Sequence, residues 1–248
     1  MSRFTTDDVY LITGASSGIG RATALLFNEQ GATVLACGRD CGRLESLAAT
    51  ASRPDGLHLE PKELLDDLDS LPAWIMALKE KYGRLKGLVN CAGVSETLPF
   101  QAADLEKGRR IFDLNYFVPL FLARGLADRR VNAGPGSSLT FLASIAGVSP
   151  EKGKAVYGGS KAALIQTARI MAQELAPRGI RVNCLSPARI MTPMTEASFK
   201  DAADVAAQYP LGLGRVDDAA SLAAFLAGDE ARWITGQNYI LDGGYRPA

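Results

Sequence analysis

Tyr157 and Lys161 stand four residues apart, and Ser144 lies thirteen residues before the tyrosine. At i and i+4 a tyrosine and a lysine share one side of a helix. An ammonium beside a phenol favours the phenolate, so this spacing predicts a tyrosine pKa drawn down from about 10 toward working pH. A phenol tuned in that way passes a proton to or from a substrate oxygen. A serine hydroxyl arriving from the end of the preceding strand would hold the same oxygen. Tyr-x-x-x-Lys alone occurs in many helices by chance, so its meaning depends on the elements that present it.

Those elements alternate. Short apolar strands are expected at residues 9–13, 33–37, 57–60, 88–90, 138–143, 181–185 and 238–241. Helices are expected at 19–30, 40–51, 71–82, 104–129, 155–176 and 217–227. In the fifth of these, Leu164, Ile165, Ala168, Met171, Ala172 and Leu175 recur at a spacing of three or four. Regular alternation predicts an α/β fold, a parallel sheet with helices on both faces. Ligands of such sheets bind beyond the carboxyl ends of the strands. The unusual segments of the chain fall there: 14–20, 38–40, 91–93, 144–147 and 186–192.

The first of these segments reads Thr13-Gly14-Ala15-Ser16-Ser17-Gly18-Ile19-Gly20. Gly14 permits a tight turn, and Gly18 and Gly20 let backbone and helix approach a phosphate closely. The helix N-terminus adds free N–H groups and a positive dipole end. The spacing is Gly-x3-Gly-x-Gly rather than G-x-G-x-x-G. Opening the first β-α unit of an alternating chain, it predicts nucleotide binding. The second strand ends Cys37-Gly38-Arg39-Asp40. An Asp or Glu would meet a free ribose 2′-hydroxyl here, but Gly38 stands in its place. Arg39 suits a 2′-phosphate. Asp40 reads either as a ribose acid displaced by two residues or, the favoured reading, as a helix cap. The expectation is NADP(H) ahead of NAD(H).

Bulk properties narrow the classes. Lys+Arg and Asp+Glu are both 27 in 248 residues, so nothing attracts the chain as a whole to nucleic acid or an anionic membrane. No apolar run nears the ~20 residues that span a bilayer. The start of the chain lacks signal-peptide shape, and a cytoplasmic location is expected. Four cysteines (Cys37, Cys41, Cys91, Cys184) with one histidine, His58, offer no convergent metal set; they read as reduced thiols.

Taken together, residues 13–20, Asn90-Cys91-Ala92-Gly93, Ser144 and Tyr157-x-x-x-Lys161 resemble the short-chain dehydrogenase/reductase family over residues 9 to 244. The resemblance implies a single, doubly wound Rossmann-like domain over residues 1–248 with a seven-stranded parallel sheet, and nicotinamide chemistry. It implies that Tyr157 is the catalytic acid/base. Lys161 would lower the tyrosine pKa and bond the nicotinamide ribose, and Ser144 would orient the substrate oxygen. Asn115 would complete a water-borne proton relay near the lysine, while also bracing a helix. Cofactor contacts are implied for Gly14, Ser16, Ser17, Gly18, Ile19, Gly20, Arg39, Asn90, Ala92, Gly93, Tyr157, Lys161, Pro187, Ile190 and Thr192. Two departures stand out: Cys91 replaces a second asparagine, and Ala188 replaces the glycine after Pro187.

The acid that would meet adenine stays open among Glu63, Asp66 and Asp67. The substrate would be set by residues 94–100, 145–150 and 191–209, where Met191, Met194, Phe199 and Tyr209 read either as an apolar lid or as helix packing. Arg129, Arg130 and Arg178 read either as a docking site for an acyl carrier protein or as ordinary surface. By resemblance the chain is most like a 3-oxoacyl-carrier-protein reductase or general carbonyl reductase. The alternatives are a sugar, polyol or steroid alcohol dehydrogenase, and a non-catalytic nucleotide sensor. Helices 104–129 and 155–176 and residues 241–245 are the expected faces of a homodimer or homotetramer.

Overall fold

The computed structural model describes residues 2–192, 195 and 208–245. Seven strands form one parallel sheet in the order β3-β2-β1-β4-β5-β6-β7. They are β1 Val9–Thr13, β2 Thr33–Gly38, β3 Leu57–Pro61, β4 Leu85–Asn90, β5 Ser138–Leu142, β6 Arg181–Pro187 and β7 Asn238–Leu241. The chain builds outward from β1 to β3, then crosses back to β4 on the other side of β1. The loops leaving β1 and β4 therefore diverge and open a crevice at the carboxyl end of the sheet.

Every residue of β1 is buried, because both faces of the sheet are covered. Alternation sends Tyr10 and Ile12 to one face and Val9 and Leu11 to the other. On the first face they meet Phe27 of α1 (Gly18–Glu29), Leu44 and Leu47 of α2 (Cys41–Ala48), and Ala223 and Ala224 of α7 (Val216–Ala227). On the second face lie Ile75 of α3 (Leu71–Tyr82), Leu122 of α5 (Val118–Leu126), and Leu164 and Ile165 of α6 (Ala155–Leu175). Each such side chain, fully buried, contributes roughly 1.5–3 kcal/mol. The edge strand β3 buries only Leu57 fully, which is why its apolar pattern is weak.

The helix expected at 104–129 is interrupted. Leu105–Phe112 forms α4, residues Asp113–Phe117 form a π turn, and α5 follows. Pro119 has no N–H to give to the carbonyl four residues back, that of Asn115, so an unbroken α ladder is impossible there. The four cysteines are free thiols. Among the described residues no helix is long and apolar enough to cross a membrane.

Candidate active site

A cleft of about 270 Å³ runs across the carboxyl edge of the sheet. Its floor is the loop after β1. Gly14 has φ +67°, and a Cβ on it would stand 2.9 Å from the Ala92 nitrogen. A Cβ on Gly20 would collide with the Gly14 carbonyl oxygen. Only glycine lets α1 start this close to the strand. Ser17 is the N-cap of α1 but makes no side-chain capping bond, and the first turn carries no acidic residue. The positive end of the helix thus faces the cleft with no side chain capping it, as an anionic pyrophosphate requires. Gly14, Ser16, Ser17, Gly18, Ile19, Gly20, Arg39, Ala92, Gly93, Pro187, Ile190 and Thr192 all line this cleft. A dinucleotide fits this donor set.

At the cleft's outer end Arg39 Nη1 lies 3.1 Å from Glu63 Oε2. Burial would raise the Glu63 carboxyl, but the Leu65 backbone N–H and the Arg39 guanidinium outweigh it and hold the group below its ordinary value. Of the three acids left open in the sequence, Glu63 lines the cleft, and so does Lys62; Asp66 and Asp67 do not. Asp40 accepts from the Arg43 backbone N–H at 3.0 Å and caps α2, as its position after β2 predicts.

The Asn90 side chain turns away from the cleft. It is 1% exposed and outside the cleft wall. Its Oδ1 accepts from Thr13 Oγ1 at 2.8 Å, and Thr13 Oγ1 accepts from the Ala92 N–H at 3.2 Å. Asn90 therefore ties β4 to β1 and shapes the loop from behind. Cys91, its neighbour, lines the cleft, and burial pushes its thiol up to about 12.

Ser144 follows β5 and Tyr157 sits in the first turn of α6; both line the cleft. Ser144 Oγ also accepts from the Ala146 N–H at 3.2 Å, which fixes the turn that carries it. Burial pushes the Tyr157 phenol above its ordinary value, and its hydrogen bond with Ser144 opposes that shift. This reverses the lowered pKa expected from the spacing. The lysine does sit on the same side, with Nζ 5.9 Å from the Tyr157 ring centroid. However, Lys161 is itself buried, which lowers its own pKa to about 8, and its Nζ donates to the Leu142 carbonyl at 2.7 Å. Desolvation is the largest cause for both groups.

Asn115 holds this arrangement from the π turn. Its Oδ1 accepts from the Val94 N–H at 2.9 Å, and its Nδ2 donates to the Val94 carbonyl at 2.9 Å and to Ser160 Oγ at 3.2 Å. Ser160 Oγ in turn donates to the Tyr157 carbonyl at 2.7 Å. A Cβ on Gly93 would lie 3.0 Å from Asn115 Oδ1 and 3.4 Å from Lys161 Nζ. Lys161 and Asn115 thus form a second layer directly behind Gly93.

A second pocket, of about 450 Å³, shares Ser144 and Tyr157 with the cleft. The expected substrate segments reach it through Ser95, Thr97, Ile145, Ser149 and Tyr209. Among the described residues its wall is mostly polar and charged rather than an apolar lid. Met191 is 48% exposed and lines neither space. Tyr209 stacks on Tyr245, with ring centroids 4.9 Å apart. Met194 and Phe199 lie outside the described residues. The remaining wall includes Glu151, Lys152, Lys154 and Arg189, which sequence reasoning missed. The available signal was Lys154 three residues before Tyr157, on the same helical side.

Ala188 needs no glycine conformation. No non-glycine residue among those described has positive φ, and its N–H bonds the Leu241 carbonyl at 2.9 Å. Arg129, Arg130 and Arg178 follow helices and precede β5 or β6, which places them at the opposite edge of the sheet. There Arg130 pairs with Asp128 at 2.7 Å, and Arg178 donates to the Ala127 carbonyl at 2.6 Å.

Comparison with known proteins agrees with this geometry. The family model described as enoyl-(acyl carrier protein) reductase matches residues 14–246. The 3-oxoacyl-(acyl-carrier-protein) reductase FabG of Thermotoga maritima is 35% identical over 239 residues, covering 95% of this chain and 96% of that protein. The structure of a short-chain dehydrogenase/reductase from Brucella melitensis, titled glucose/ribitol dehydrogenase, is 30% identical, covers 100% of both chains and superposes with a TM-score of 0.92. A short-chain dehydrogenase from Burkholderia cenocepacia, solved in complex with NADP, is 28% identical, covers 96% of this chain and 98% of that one, and has a TM-score of 0.88. The chain belongs to the short-chain dehydrogenase/reductase family of oxidoreductases, which bind NAD(P) and act on alcohol or carbonyl groups.

Proposed function

We propose that this protein is an NADP(H)-dependent carbonyl reductase, with Ser144, Tyr157, Lys161 and Asn115 as its working residues. The observation that carries the reading is that Ser144 and Tyr157 share one cleft with the open N-terminus of α1 and with Arg39. The nicotinamide, when bound, supplies the hydride for the carbonyl carbon. Tyr157, kept protonated by burial, gives its proton to the carbonyl oxygen while the Ser144 hydroxyl donates a hydrogen bond to it. The Lys161 ammonium, one layer behind, favours the phenolate left on Tyr157. Asn115 holds the Val94 backbone and the helix carrying Tyr157 in register. Arg39 meets a 2′-phosphate and Glu63 the adenine edge, with the ion pair between them set against phosphate binding.

The NADP complex of the Burkholderia relative supports the cofactor reading, and the Thermotoga reductase supports the direction. An absorbance screen at the nicotinamide band, with both cofactors and a panel of carbonyls and alcohols, tests it. Clear preference for NADH over NADPH would remove the role of Arg39. A second reading, a polyol or sugar dehydrogenase, is favoured by the hydroxyl-rich wall of the second pocket and by the name of the Brucella relative. Oxidation of polyols faster than reduction of simple ketones would select it. A non-catalytic nucleotide sensor is the reading of another class; full biological activity in a Tyr157→Phe variant would select that.

Assembly as a homotetramer or homodimer is supported by exposed Phe117 and Ile170 on the α4–α6 side and by exposed Trp233 and Ile240 near the C-terminal strand. Light scattering reads the outcome. An acyl carrier protein stays a proposed partner, with Arg129, Arg130 and Arg178 as its docking residues at the opposite edge of the sheet. A cytoplasmic location accords with the free thiols.

A further inference from the structure

We propose that the second pocket is a carboxylate subsite, and that the substrate is a short oxo acid or hydroxy acid whose carboxylate is held by Lys154 and Arg189. This inference rests on the reductase reading above and names the substrate class of the same site. The pocket of about 450 Å³ is lined by Ser144 and Tyr157, so a substrate held by those two residues has this space beside it. Its wall carries three cations, Lys152, Lys154 and Arg189, against one carboxylate, Glu151, among the described residues.

Lys154 immediately precedes α6 and stands one helical turn before Tyr157, with Nζ 5.4 Å from the phenol ring centroid. The ammonium is half-buried, yet the oxygens it meets are all neutral: Thr97 Oγ1 at 2.6 Å, Ser95 Oγ at 2.9 Å and the Glu96 carbonyl at 3.4 Å. A cation held in a cleft by hydroxyls keeps its charge available to an incoming anion. Burial lowers its pKa, with the Glu151 carboxylate opposing that shift and the Arg189 guanidinium adding to it. Arg189, entering from the loop after β6, has Glu151 as its carboxylate at 3.7 Å, a loose pair with both side chains more than a third exposed. The planar guanidinium fork can leave that pair for a bidentate carboxylate. The start of α6 adds the same sign, since Lys154 offers no side-chain cap and the first turn holds no acidic residue.

Distance sets the class further. Lys154 flanks the tyrosine ring itself, so the carboxylate must lie only a few atoms from the carbonyl that Tyr157 protonates. A carrier-bound thioester or an uncharged sugar presents no charge at that point.

The test uses the full chain with saturating NADPH or NADH and matched pairs, 2-oxobutyrate and acetoacetate against their methyl esters. The expected result is a preference for the acid over its ester of about tenfold or more in kcat/KM, expressed mainly in KM. Lys154→Met and Arg189→Gln should each draw that ratio toward one, and Lys154→Arg should restore most of it. Calorimetric titration of each acid and ester into the enzyme reads binding independently of turnover. Esters reduced as well as acids, or a ratio unmoved by Lys154→Met, would overturn the carboxylate subsite while leaving the reductase reading intact. If no carbonyl is reduced with either cofactor, the reductase reading fails. The subsite is then supported by acid-over-ester binding that Lys154→Met removes, and overturned by equal binding.

Discussion

The cofactor cleft and the second pocket meet at Ser144 and Tyr157, yet they are built differently. The cleft is made largely of backbone: a turn that only glycine can close, an uncapped helix start, and a strand end tied back by Asn90 and Thr13. The pocket is made of side-chain ends drawn from separate stretches, with hydroxyls and charges from residues 95–97, 149–154, 189, 209 and 245. A backbone site recognises what every dinucleotide has in common. A side-chain site recognises what distinguishes one substrate from another. The difference teaches that substitutions in the first should act through space and fold, and those in the second through charge.

The sharpest probe lies where the two regions touch. Tyr157→Phe should lower kcat by about 10³-fold, within the range of lost acid catalysis, while cofactor affinity changes little. Steady-state kinetics beside a cofactor fluorescence titration would show it, and a parallel loss of cofactor binding would blur the division between the two regions. Gly20→Ala should destabilise the fold by about 2–3 kcal/mol, because its methyl group would run into the Gly14 carbonyl, which is backbone and cannot swing away. Denaturant unfolding reads this; a neutral result would mean that the cleft is less tightly built than its backbone spacing indicates.

Lys161 supplies a pH probe. With its pKa near 8, kcat/KM for reduction should fall about tenfold per pH unit above that value as the ammonium is lost. Its folded pKa is below the ordinary lysine value of 10.5, so between about pH 8 and 10.5 the unfolded chain carries more protons on this residue than the folded one. The contribution of Lys161 to stability therefore rises with pH across the window in which activity falls. A melting curve taken at each pH separates the two, and a rate that stays flat to pH 9.5 would remove Lys161 from proton management.

Two smaller effects belong to the outer end of the cleft. Asp40→Ala should cost about 1 kcal/mol of stability through loss of the α2 cap, leaving the NADPH to NADH ratio in place. Glu63→Gln should free Arg39 and raise the preference for NADPH by about threefold, since an exposed ion pair is worth little. A shift toward NADH would instead show that Glu63, not Arg39, sets cofactor choice.

The fold was largely legible in the sequence because strands buried on both faces and amphipathic helices leave periodic traces, as β1 and α6 do. The glycine loop, Ser144 and Tyr157 were legible because fixed spacing along one strand, turn or helix carries their geometry. Three things were not. The π turn at Asn115 depends on Pro119 acting on a carbonyl four residues away within a segment that otherwise reads as helix. Asn90 looked like a cofactor contact, and whether its amide faces ligand or Thr13 is decided by the approach of β1 to β4. The second pocket gathers Lys154, Arg189, Tyr209 and Tyr245 across about ninety residues of chain, and no local spacing records that meeting.

The sequence by itself determined the alternating architecture, the strand ends where chemistry collects, and the tyrosine, lysine and serine as partners. These follow from chain-local rules of periodicity, turn sterics and helical spacing. Only the tertiary structure decided the protonation of the partners. Burial raises the Tyr157 phenol and lowers the Lys161 ammonium, the reverse of what their spacing predicts for the tyrosine, because the free energy of charging a group depends on the depth of packing around it.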